Sequence, residues 1–224
     1  MKKFDLELYF ITDSTGYSEE EFLLRVEKAL QGGVTLMQLR EKEKSTREYI
    51  ILAEKVHRLS KKYGVPLIID DRVDVAMAVD AEGVHLGQSD MPIHIARRII
   101  GSEKIIGATA KTVAQAKEAY EQGADYLGVG AIYPTTTKVK TIITSTETLK
   151  EICDAVPIPV NAIGGLNKDN ISVLKGIPVA GICAVSAIMK ASEPKFAAEE
   201  LRRAIKDIKT KGDHDENSII NCRK

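Results

Sequence analysis

Residues 66–90 read PLIIDDRVDVAMAVDAEGVHLGQSD, and this stretch decides the fold that the sequence predicts. Two apolar runs, Pro66–Ile69 and Val84–Leu86, are too short for helices, and each runs into polar residues, which is typical of buried strands. Between them, Arg72–Val79 carries apolar residues at near-helical spacing. The stretch therefore predicts a strand–helix–strand unit in which the two strands lie parallel and next to each other.

Polar side chains follow both of these strands. Asp70 and Asp71 end the first run, and Gln88 and Asp90 come shortly after the second. Because neighbouring parallel strands lie about 5 Å apart and end at the same edge, we expect these groups to emerge together. Two carboxylates in such a place suit a magnesium ion that also holds a phosphate. The alternative, that these acids only cap the following helices, stays open at this point.

Composition limits the class of protein. The chain has 224 residues, 44% of them apolar, which fits one α/β barrel with a large core. Lys and Arg total 32, as do Asp and Glu, and without a long basic stripe we expect no nucleic-acid partner. The apolar runs are too short to span a membrane, and no signal peptide is visible. Three widely spaced cysteines predict a reducing cytoplasm, whereas the sequence leaves open whether the chain forms a homo-oligomer.

The alternation of strand and helix recurs along the whole chain. It predicts a single closed (β/α)8 TIM barrel over residues 1–209, followed by a polar tail, residues 210–224, that is disordered or a surface extension. An open doubly wound sheet would carry a glycine-rich turn after the first strand, where this chain has TDSTGYS. The predicted strands are Leu6–Thr12, Thr35–Leu39, Pro66–Ile69, Val84–Leu86, Lys104–Ala108, Tyr126–Val129, Pro159–Ile163 and Gly181–Val185.

Eight helices are expected between and after these strands, with no additional elements. The first is expected to be capped by Ser18 and a later one by Thr112. Another is predicted to begin at Asn167, and the last to span Pro194–Lys209.

In a parallel barrel the carboxyl ends of all strands meet at one face, which carries the active site. The residues that follow the strands here combine cations, carboxylates, hydroxyls and bare backbone, without an obvious nucleophile–base pair. These residues are Gln38, Arg40, Lys42, Asp70, Asp71, Gln88, Asp90, Thr109, Lys111, Thr135, Thr137, Lys138, Gly164, Gly165 and Ser186.

Gln38, Arg40 and Lys42 alternate along one extended segment, so their side chains share one face. Three polar groups that face the same way inside a barrel mouth favour an anionic ligand. The alternative is an ordinary ion pair of Arg40 with Glu41 or Glu43.

Three other features have two interpretations each. Gly164–Gly165 is either a tight turn or a phosphate-binding stretch of backbone N–H groups. Ser186 either caps a helix or, together with Gly164–Gly165, forms a phosphate-binding cup. His85 lies within an apolar strand and is expected to be a hydrogen-bonded core residue rather than a base. The loop over residues 134–144 is long for a barrel and could act as a lid.

Several segments of the chain resemble the thiamine phosphate synthase family in their order and spacing, along nearly the whole length. They are QLREK (38–42), DD followed by RVDVA (70–76), GVHLGQSDM (83–91), ADYLGVGAIYPTTTK (124–138), AIGG (162–165) and VSAI (185–188). The resemblance implies an alkyl-group transferase that joins a hydroxymethylpyrimidine diphosphate to a thiazole phosphate. The products would be thiamine phosphate and pyrophosphate, with Mg²⁺ as cofactor.

By matching position, the resemblance also implies roles for individual residues. Asp71 and Asp90 would bind magnesium. The pyrimidine diphosphate would be bound by Gln38, Arg40, Lys42, Asp70, Thr109 and Lys138. The thiazole phosphate would be bound by Thr135, Thr137, Gly165, Val185 and Ser186. In a dissociative mechanism, Arg40, Lys42 and Lys138 would be the catalytic residues, because they would stabilise the departing pyrophosphate before the thiazole nitrogen captures a pyrimidine methyl cation.

The chain departs from the family pattern at three positions. Asp70 stands where the family usually has Asn, Thr109 where it has Ser, and Lys111 where a histidine is common. Two alternatives are a thiazole tautomerase-like isomerase and a barrel that binds thiamine intermediates without catalysis. Lys111 and the pair Asp71 and Asp90 count against the first, and the complete QLREK and TTTK segments count against the second.

Overall fold

The computed structural model describes residues 4–135 and 142–220. Its eight strands form a closed barrel in which every strand is parallel to its neighbours in sequence, and β8 pairs with β1. The predicted (β/α)8 TIM barrel is confirmed. The strands are β1 Leu8–Ile11, β2 Leu36–Leu39, β3 Leu67–Asp70, β4 Gly83–Leu86, β5 Ile105–Ala110, β6 Tyr126–Gly130, β7 Val160–Ile163 and β8 Gly181–Ala184.

Helices surround the barrel and connect its strands. Helices α1–α6 follow β1–β6 one by one, a 3-10 helix follows β7, and two helices follow β8. Their bounds are α1 Glu19–Gln31, α2 Thr46–Lys62, α3 Val73–Ala78, α4 Ile93–Ile100, α5 Val113–Glu121, α6 Thr146–Ala155, the 3-10 helix Ile171–Leu174, α7 Ser186–Met189 and α8 Pro194–Ile220.

The end of the chain differs from the prediction in two places. The prediction that a helix begins at Asn167 is wrong. Asn167 N–H donates to Asn170 Oδ1 (2.8 Å), and Asn167 Oδ1 accepts a hydrogen bond from Asp169 N–H (2.9 Å). Such side-chain bonds compete with helix formation, and only a 3-10 turn follows. The short α7 is an element that the sequence did not predict.

The last helix, α8, continues past Lys209, its predicted end. The disorder of residues 210–224 stays a prediction. Among the helices described, none has the length and apolar character that crossing a membrane requires.

Side-chain caps explain where several helices begin. Ser18 accepts a hydrogen bond from Glu21 N–H (3.2 Å), and Thr112 accepts one from Gln115 N–H (3.2 Å), as the sequence predicted. Each cap satisfies one of the N–H groups that a helix end leaves without a partner.

The core has two layers because successive strand residues face opposite sides of the barrel wall. In β1, Leu8 and Phe10 belong to the large cluster between the sheet and the helices. Tyr9 and Ile11 belong to a smaller cluster that includes Tyr126 and fills the barrel interior. This alternation directs the side chains of Tyr9 and Tyr126 into the barrel interior, where their hydroxyl groups meet.

The opening stretch of the sequence forms the unit that was predicted. β3 and β4 are parallel neighbours, and Asp70 pairs in register with His85. The residues after both strands therefore enter the same mouth of the barrel.

Candidate active site

Asp71 sits in a tight turn at the end of β3. Its φ of 58° lies in the left-handed region, and Arg72 N–H donates to Asp70 O across the turn (2.6 Å). Asp71 N–H donates to His85 O (2.9 Å), which attaches the turn to β4. Aspartate tolerates this backbone conformation better than most residues, and such outliers are concentrated at functional sites.

Asp90 is held beside Asp71 by the loop after β4. Its Oδ2 accepts a hydrogen bond from Gly87 N–H (2.7 Å), and a Cβ at position 87 would lie 2.7 Å from that oxygen, so a larger residue there would displace the Asp90 carboxylate. Burial raises the pKa of Asp90, a hydrogen bond with Asp71 raises it further, and the Gly87 N–H partly offsets both. Two carboxyl groups thus share one place, as the sequence predicted, and a cation between them would relieve their repulsion.

The pair of Asp71 and Asp90 fits a magnesium ion. Mg²⁺ prefers oxygen ligands, and it usually binds through one or two carboxylates while waters and substrate phosphates complete its shell. Within residues 4–135 and 142–209, no group of three or more His, Cys, Asp or Glu side chains is arranged to hold a metal ion. The donor set therefore suits a metal that arrives with a phosphate rather than one in a complete protein cage.

Basic side chains from the end of β2 face this carboxylate cluster. Lys42 Nζ lies 2.7 Å from Asp70 Oδ2 and also contacts Asp71 Oδ2, while Arg40 Nε lies 3.8 Å from Asp70 Oδ2. Burial would lower the pKa of Lys42, but its hydrogen bonds and ion pairs with both aspartates raise it overall. Lys42 therefore stays a cation at neutral pH.

Asp70 is the most deeply buried member of the cluster, with 7% of the residue exposed. Burial raises the pKa of Asp70, and the charge of Asp71 raises it further, while Lys42 and Arg40 act in the opposite direction. Ionisation of Asp70 is thus less favourable in the folded protein than in the unfolded chain, although two cations face it.

Glu41 points away from this cluster. It accepts a hydrogen bond from Ser14 Oγ (2.9 Å) and lies 3.7 Å from Lys44 Nζ. In the part of the chain that the structure describes, the ion-pair partner of Arg40 is Asp70, so the predicted alternative of a pair with Glu41 or Glu43 is wrong.

A series of hydrogen-bonded side chains crosses the barrel interior, and we term it the interior polar network. Its members are Gln38, Tyr9, Tyr126, His85 and Thr109. Gln38 Nε2 donates to Tyr9 Oη (2.6 Å), and the two tyrosine hydroxyls are 2.7 Å apart. His85 joins Tyr126 Oη through Nδ1 (3.1 Å) and Thr109 Oγ1 through Nε2 (3.0 Å).

The network confirms that His85 is a hydrogen-bonded interior residue. It also contains two residues that the sequence prediction missed as site residues, Tyr9 and Tyr126, which lie within predicted strands. A buried tyrosine hydroxyl usually has a hydrogen-bond partner, and this signal could have indicated them. Gln88 Nε2 additionally donates to Thr109 O (2.6 Å), so the loop after β4 is attached to the end of β5.

Gly164 and Gly165 form a turn that packs against the start of the loop after β6. Their φ values are 101° and 65°, and added Cβ atoms would lie 2.4 Å from Ala131 Cβ and 2.6 Å from Tyr133 Cβ. Tyr133 N–H donates to Gly164 O (3.0 Å) and Asn170 Nδ2 to Gly165 O (2.9 Å). The turn thus engages its carbonyl groups, and among the described residues the Gly165 N–H has no acceptor.

Ser186 is the first residue of α7, and Val185 is in the capping position without a side-chain cap bond. The interpretation of Ser186 as an N-cap is therefore wrong, because Val185 occupies that position. Thr135 is half-buried at the start of the loop after β6. Thr137 and Lys138, and with them most of the predicted lid, lie outside the described residues.

Known proteins resemble this chain over nearly its full length. A family model described as thiamine monophosphate synthase matches residues 8–188. A thiamine-phosphate synthase of Methanobrevibacter smithii is 48% identical over 206 residues, covering 92% of this chain and 98% of that protein. One of Enterococcus faecalis is 53% identical over 198 residues, covering 88% and 93%. The solved structure of thiamine phosphate pyrophosphorylase from Pyrococcus furiosus is 42% identical, with a TM-score of 0.83 and coverage of 91% and 96%.

Proposed function

The chain belongs to the thiamine monophosphate synthase family and is a transferase with thiamine-phosphate synthase activity, and from this premise we propose how its residues carry out the reaction. The substrates would be 4-amino-2-methyl-5-hydroxymethylpyrimidine diphosphate and 4-methyl-5-(2-phosphooxyethyl)thiazole. The bond between the pyrimidine methylene carbon and the diphosphate oxygen would break first. The thiazole nitrogen would then bond to that carbon, giving thiamine phosphate and pyrophosphate.

The observation that supports this proposal is the meeting of the Asp71 and Asp90 carboxyl groups with Lys42 and Arg40 at one mouth. A departing pyrophosphate gains negative charge as its bond breaks, so preorganised cations stabilise the transition state more than the ground state. Arg40 and Lys42 come from the same strand end and would lie on one side of the diphosphate. Lys138, which the family pattern also assigns to the diphosphate, lies outside the described residues.

The two carboxylates, Asp71 and Asp90, would hold Mg²⁺. When bound, this ion would neutralise charge on the diphosphate and make it a better leaving group. Asp71 and Asp90 would thereby fix the diphosphate beside Lys42. Thr109, at the end of β5, would donate its hydroxyl proton to a diphosphate oxygen.

The thiazole phosphate would bind on the opposite side of the mouth. Gly165, with its positive φ and an N–H that lacks an acceptor among the described residues, and Val185–Ser186 at the end of β8 would receive the phosphate. Strands seven and eight form the phosphate site in many barrels of this type. Thr135 and Thr137 would contact the thiazole.

This division of roles explains why the mouth needs no nucleophile from the protein. The residues position two substrates against each other and assist one leaving group. Positioning alone lowers the activation barrier substantially when two molecules must react. The tautomerase-like and non-catalytic alternatives are not favoured by the comparisons. The cytoplasmic location stays a prediction, and so does the formation of a homo-oligomer.

An assay with both substrates and magnesium, coupled to detection of pyrophosphate, tests the proposal. With both substrates present we expect thiamine phosphate and pyrophosphate in equal amounts. We expect no thiamine phosphate when either substrate is omitted, and loss of activity with a chelator that excess Mg²⁺ restores. Full activity in the presence of chelator would contradict the magnesium role. Pyrophosphate release that proceeds unchanged without the thiazole, by hydrolysis, would support the dissociative order.

A further inference from the structure

The interior polar network has two ends, and the proposed function places both of them at the substrate. Gln38 is 2% exposed and Tyr9 is 1% exposed, so the first part of the network lies inside the barrel. Thr109, at the other end, lies near the carboxyl end of β5, and the proposed function assigns it to the diphosphate. Tyr126, which is fully buried, and His85 connect these two ends.

Each hydroxyl group in this network has one proton to donate, which limits how the protons can be arranged. Burial raises the pKa of both Tyr9 and Tyr126 well above the ordinary value, so both phenols keep their protons at neutral pH. If Gln38 Nε2 donates to Tyr9, then Tyr9 donates to Tyr126 and Tyr126 donates to Nδ1 of His85. His85 then carries its proton on Nε2 and donates it to Thr109 Oγ1.

In this arrangement the Thr109 hydroxyl proton is left to donate to a ligand. The opposite arrangement has Thr109 donate to His85 Nε2, His85 donate from Nδ1 to Tyr126, and Tyr9 donate to the amide oxygen of a turned Gln38. The Thr109 oxygen would then present only lone pairs to the mouth. An anionic diphosphate would be repelled by lone pairs and bound by a donated proton, so the two arrangements differ in their ability to bind it.

We propose that Tyr9, Tyr126 and His85 are positioning residues that hold the protons of the network in one direction, from Gln38 towards Thr109. They thereby make the Thr109 hydroxyl a fixed donor to an anionic oxygen at the mouth. The same direction fixes the Gln38 amide, because its Nε2 is committed to Tyr9. The network thus couples the orientation of two substrate-binding side chains from different strands. The assignment of Thr109 to a diphosphate oxygen rests on the proposed function, whereas the direction of the protons does not.

The tautomer of His85 reports the direction of the network. In ligand-free protein labelled with ¹⁵N-histidine, the ring nitrogen shifts distinguish a protonated from an unprotonated nitrogen. The chain has four histidines, and the signals missing from His85→Asn assign those of His85. We expect the Nε2–H tautomer at neutral pH, and an Nδ1–H tautomer or an imidazolium would overturn the proposal.

Removing single hydroxyl groups tests whether the network sets this tautomer. Tyr126→Phe takes away the donor to Nδ1, so we expect a mixture of tautomers. Tyr49→Phe is the matched control, because Tyr49 is also a buried tyrosine, but it donates to Leu39 O (2.7 Å) outside the network. It should lose stability to a comparable degree and keep the Nε2–H tautomer. An unchanged tautomer in Tyr126→Phe, or an equal change in both variants, would refute the role of Tyr126.

Binding of inorganic pyrophosphate with Mg²⁺ separates this inference from the proposed function. Calorimetry should show a loss of affinity of about fivefold in Tyr126→Phe, the usual effect of one misdirected hydrogen bond, and no comparable loss in Tyr49→Phe. If wild-type protein has the Nε2–H tautomer but does not bind pyrophosphate, the proposed function fails while the direction of the network stands. If the wild type and Tyr126→Phe bind pyrophosphate with equal affinity, the positioning role is overturned and the proposed function stands.

Discussion

Lys42 Nζ lies 2.7 Å from Oδ2 of Asp70 at the mouth of the barrel. The lysine that we assign to the diphosphate is therefore already paired with a buried carboxylate in the protein without substrate. Binding a diphosphate requires Lys42 to turn towards phosphate oxygens while Asp70 remains nearby with its negative charge. The departure from the family pattern at position 70 thus lies at the centre of the site.

Asp70→Asn should bind pyrophosphate with Mg²⁺ more tightly than the wild type, by roughly threefold to tenfold, because it removes a like charge and releases Lys42. Isothermal titration calorimetry at fixed magnesium measures the change. Asp74→Asn is a matched control, since Asp74 pairs with Arg72 (2.5 Å) on the exposed side of the same segment. A fall in affinity in Asp70→Asn would instead identify Asp70 as a further metal ligand.

The same variant should change how stability depends on pH. The pKa of Asp70 is raised in the folded protein, chiefly by burial, so folding favours its protonated form. This contribution to stability is present below the unfolded pKa of about 3.9 and is lost as pH rises through the higher folded value. Asp70→Asn should match the wild type at the lowest pH and be more stable near neutrality, as measured by urea unfolding across pH 4–7.5.

Asp80 provides a control of opposite sign for this experiment. Its hydrogen bond with Lys104 lowers the pKa of Asp80, so the stability that it contributes is present above the unfolded pKa and is lost as pH falls. Asp80→Asn should therefore be less stable than the wild type at neutral pH, with a difference that shrinks in acid. If both asparagine variants shift stability in the same direction, the pKa of Asp70 is not raised as described.

Asp71→Asn should lower kcat by about 100-fold or more, because loss of one of two carboxylates removes much of the metal's contribution to the leaving group. The assay uses excess pyrimidine diphosphate and saturating Mg²⁺, so that weaker substrate binding alone cannot account for the loss. Circular dichroism and the Asp74→Asn control exclude a folding defect. Activity equal to that of the wild type under these conditions would remove the magnesium assignment.

Arg97 is expected to stabilise the end of the barrel opposite the mouth. Its guanidinium donates to Lys104 O (2.6 Å) and Gly123 O (2.9 Å), just before β5 and β6, and pairs with Asp125 Oδ2 (2.5 Å). Arg97→Ala should lower the free energy of unfolding by about 2–4 kcal/mol, since several partners lose their bonds together. Arg97→Lys should recover only part of this loss, because lysine cannot reproduce the planar fork.

Activity separates this effect from one on the site. At a temperature where Arg97→Ala remains folded, its kcat should be close to that of the wild type. A large loss of kcat without a change in the urea midpoint would contradict a purely stabilising role at this end of the barrel.

Much of the fold could be predicted because it is encoded in local patterns. The short apolar runs that became β3 and β4 bury both faces, and such strands cannot form amphipathic helices. The carboxylates after them were expected to meet, and they do, because parallel neighbouring strands leave no other arrangement. The helix predicted at Asn167 failed for the opposite reason, since bonds between Asn167 and its near neighbours favoured a turn.

The sequence by itself determined the barrel, the edge at which polar residues collect and the family to which they belong, because periodicity and segment order are properties of the chain alone. Only the tertiary structure decided which of these residues touch. Among the described residues, Arg40 is paired with Asp70 and not with Glu41 or Glu43, and Tyr9 meets Tyr126 across the barrel. Such contacts join residues far apart in sequence, and they form because closure of the sheet brings distant strand positions to the same height inside one small volume.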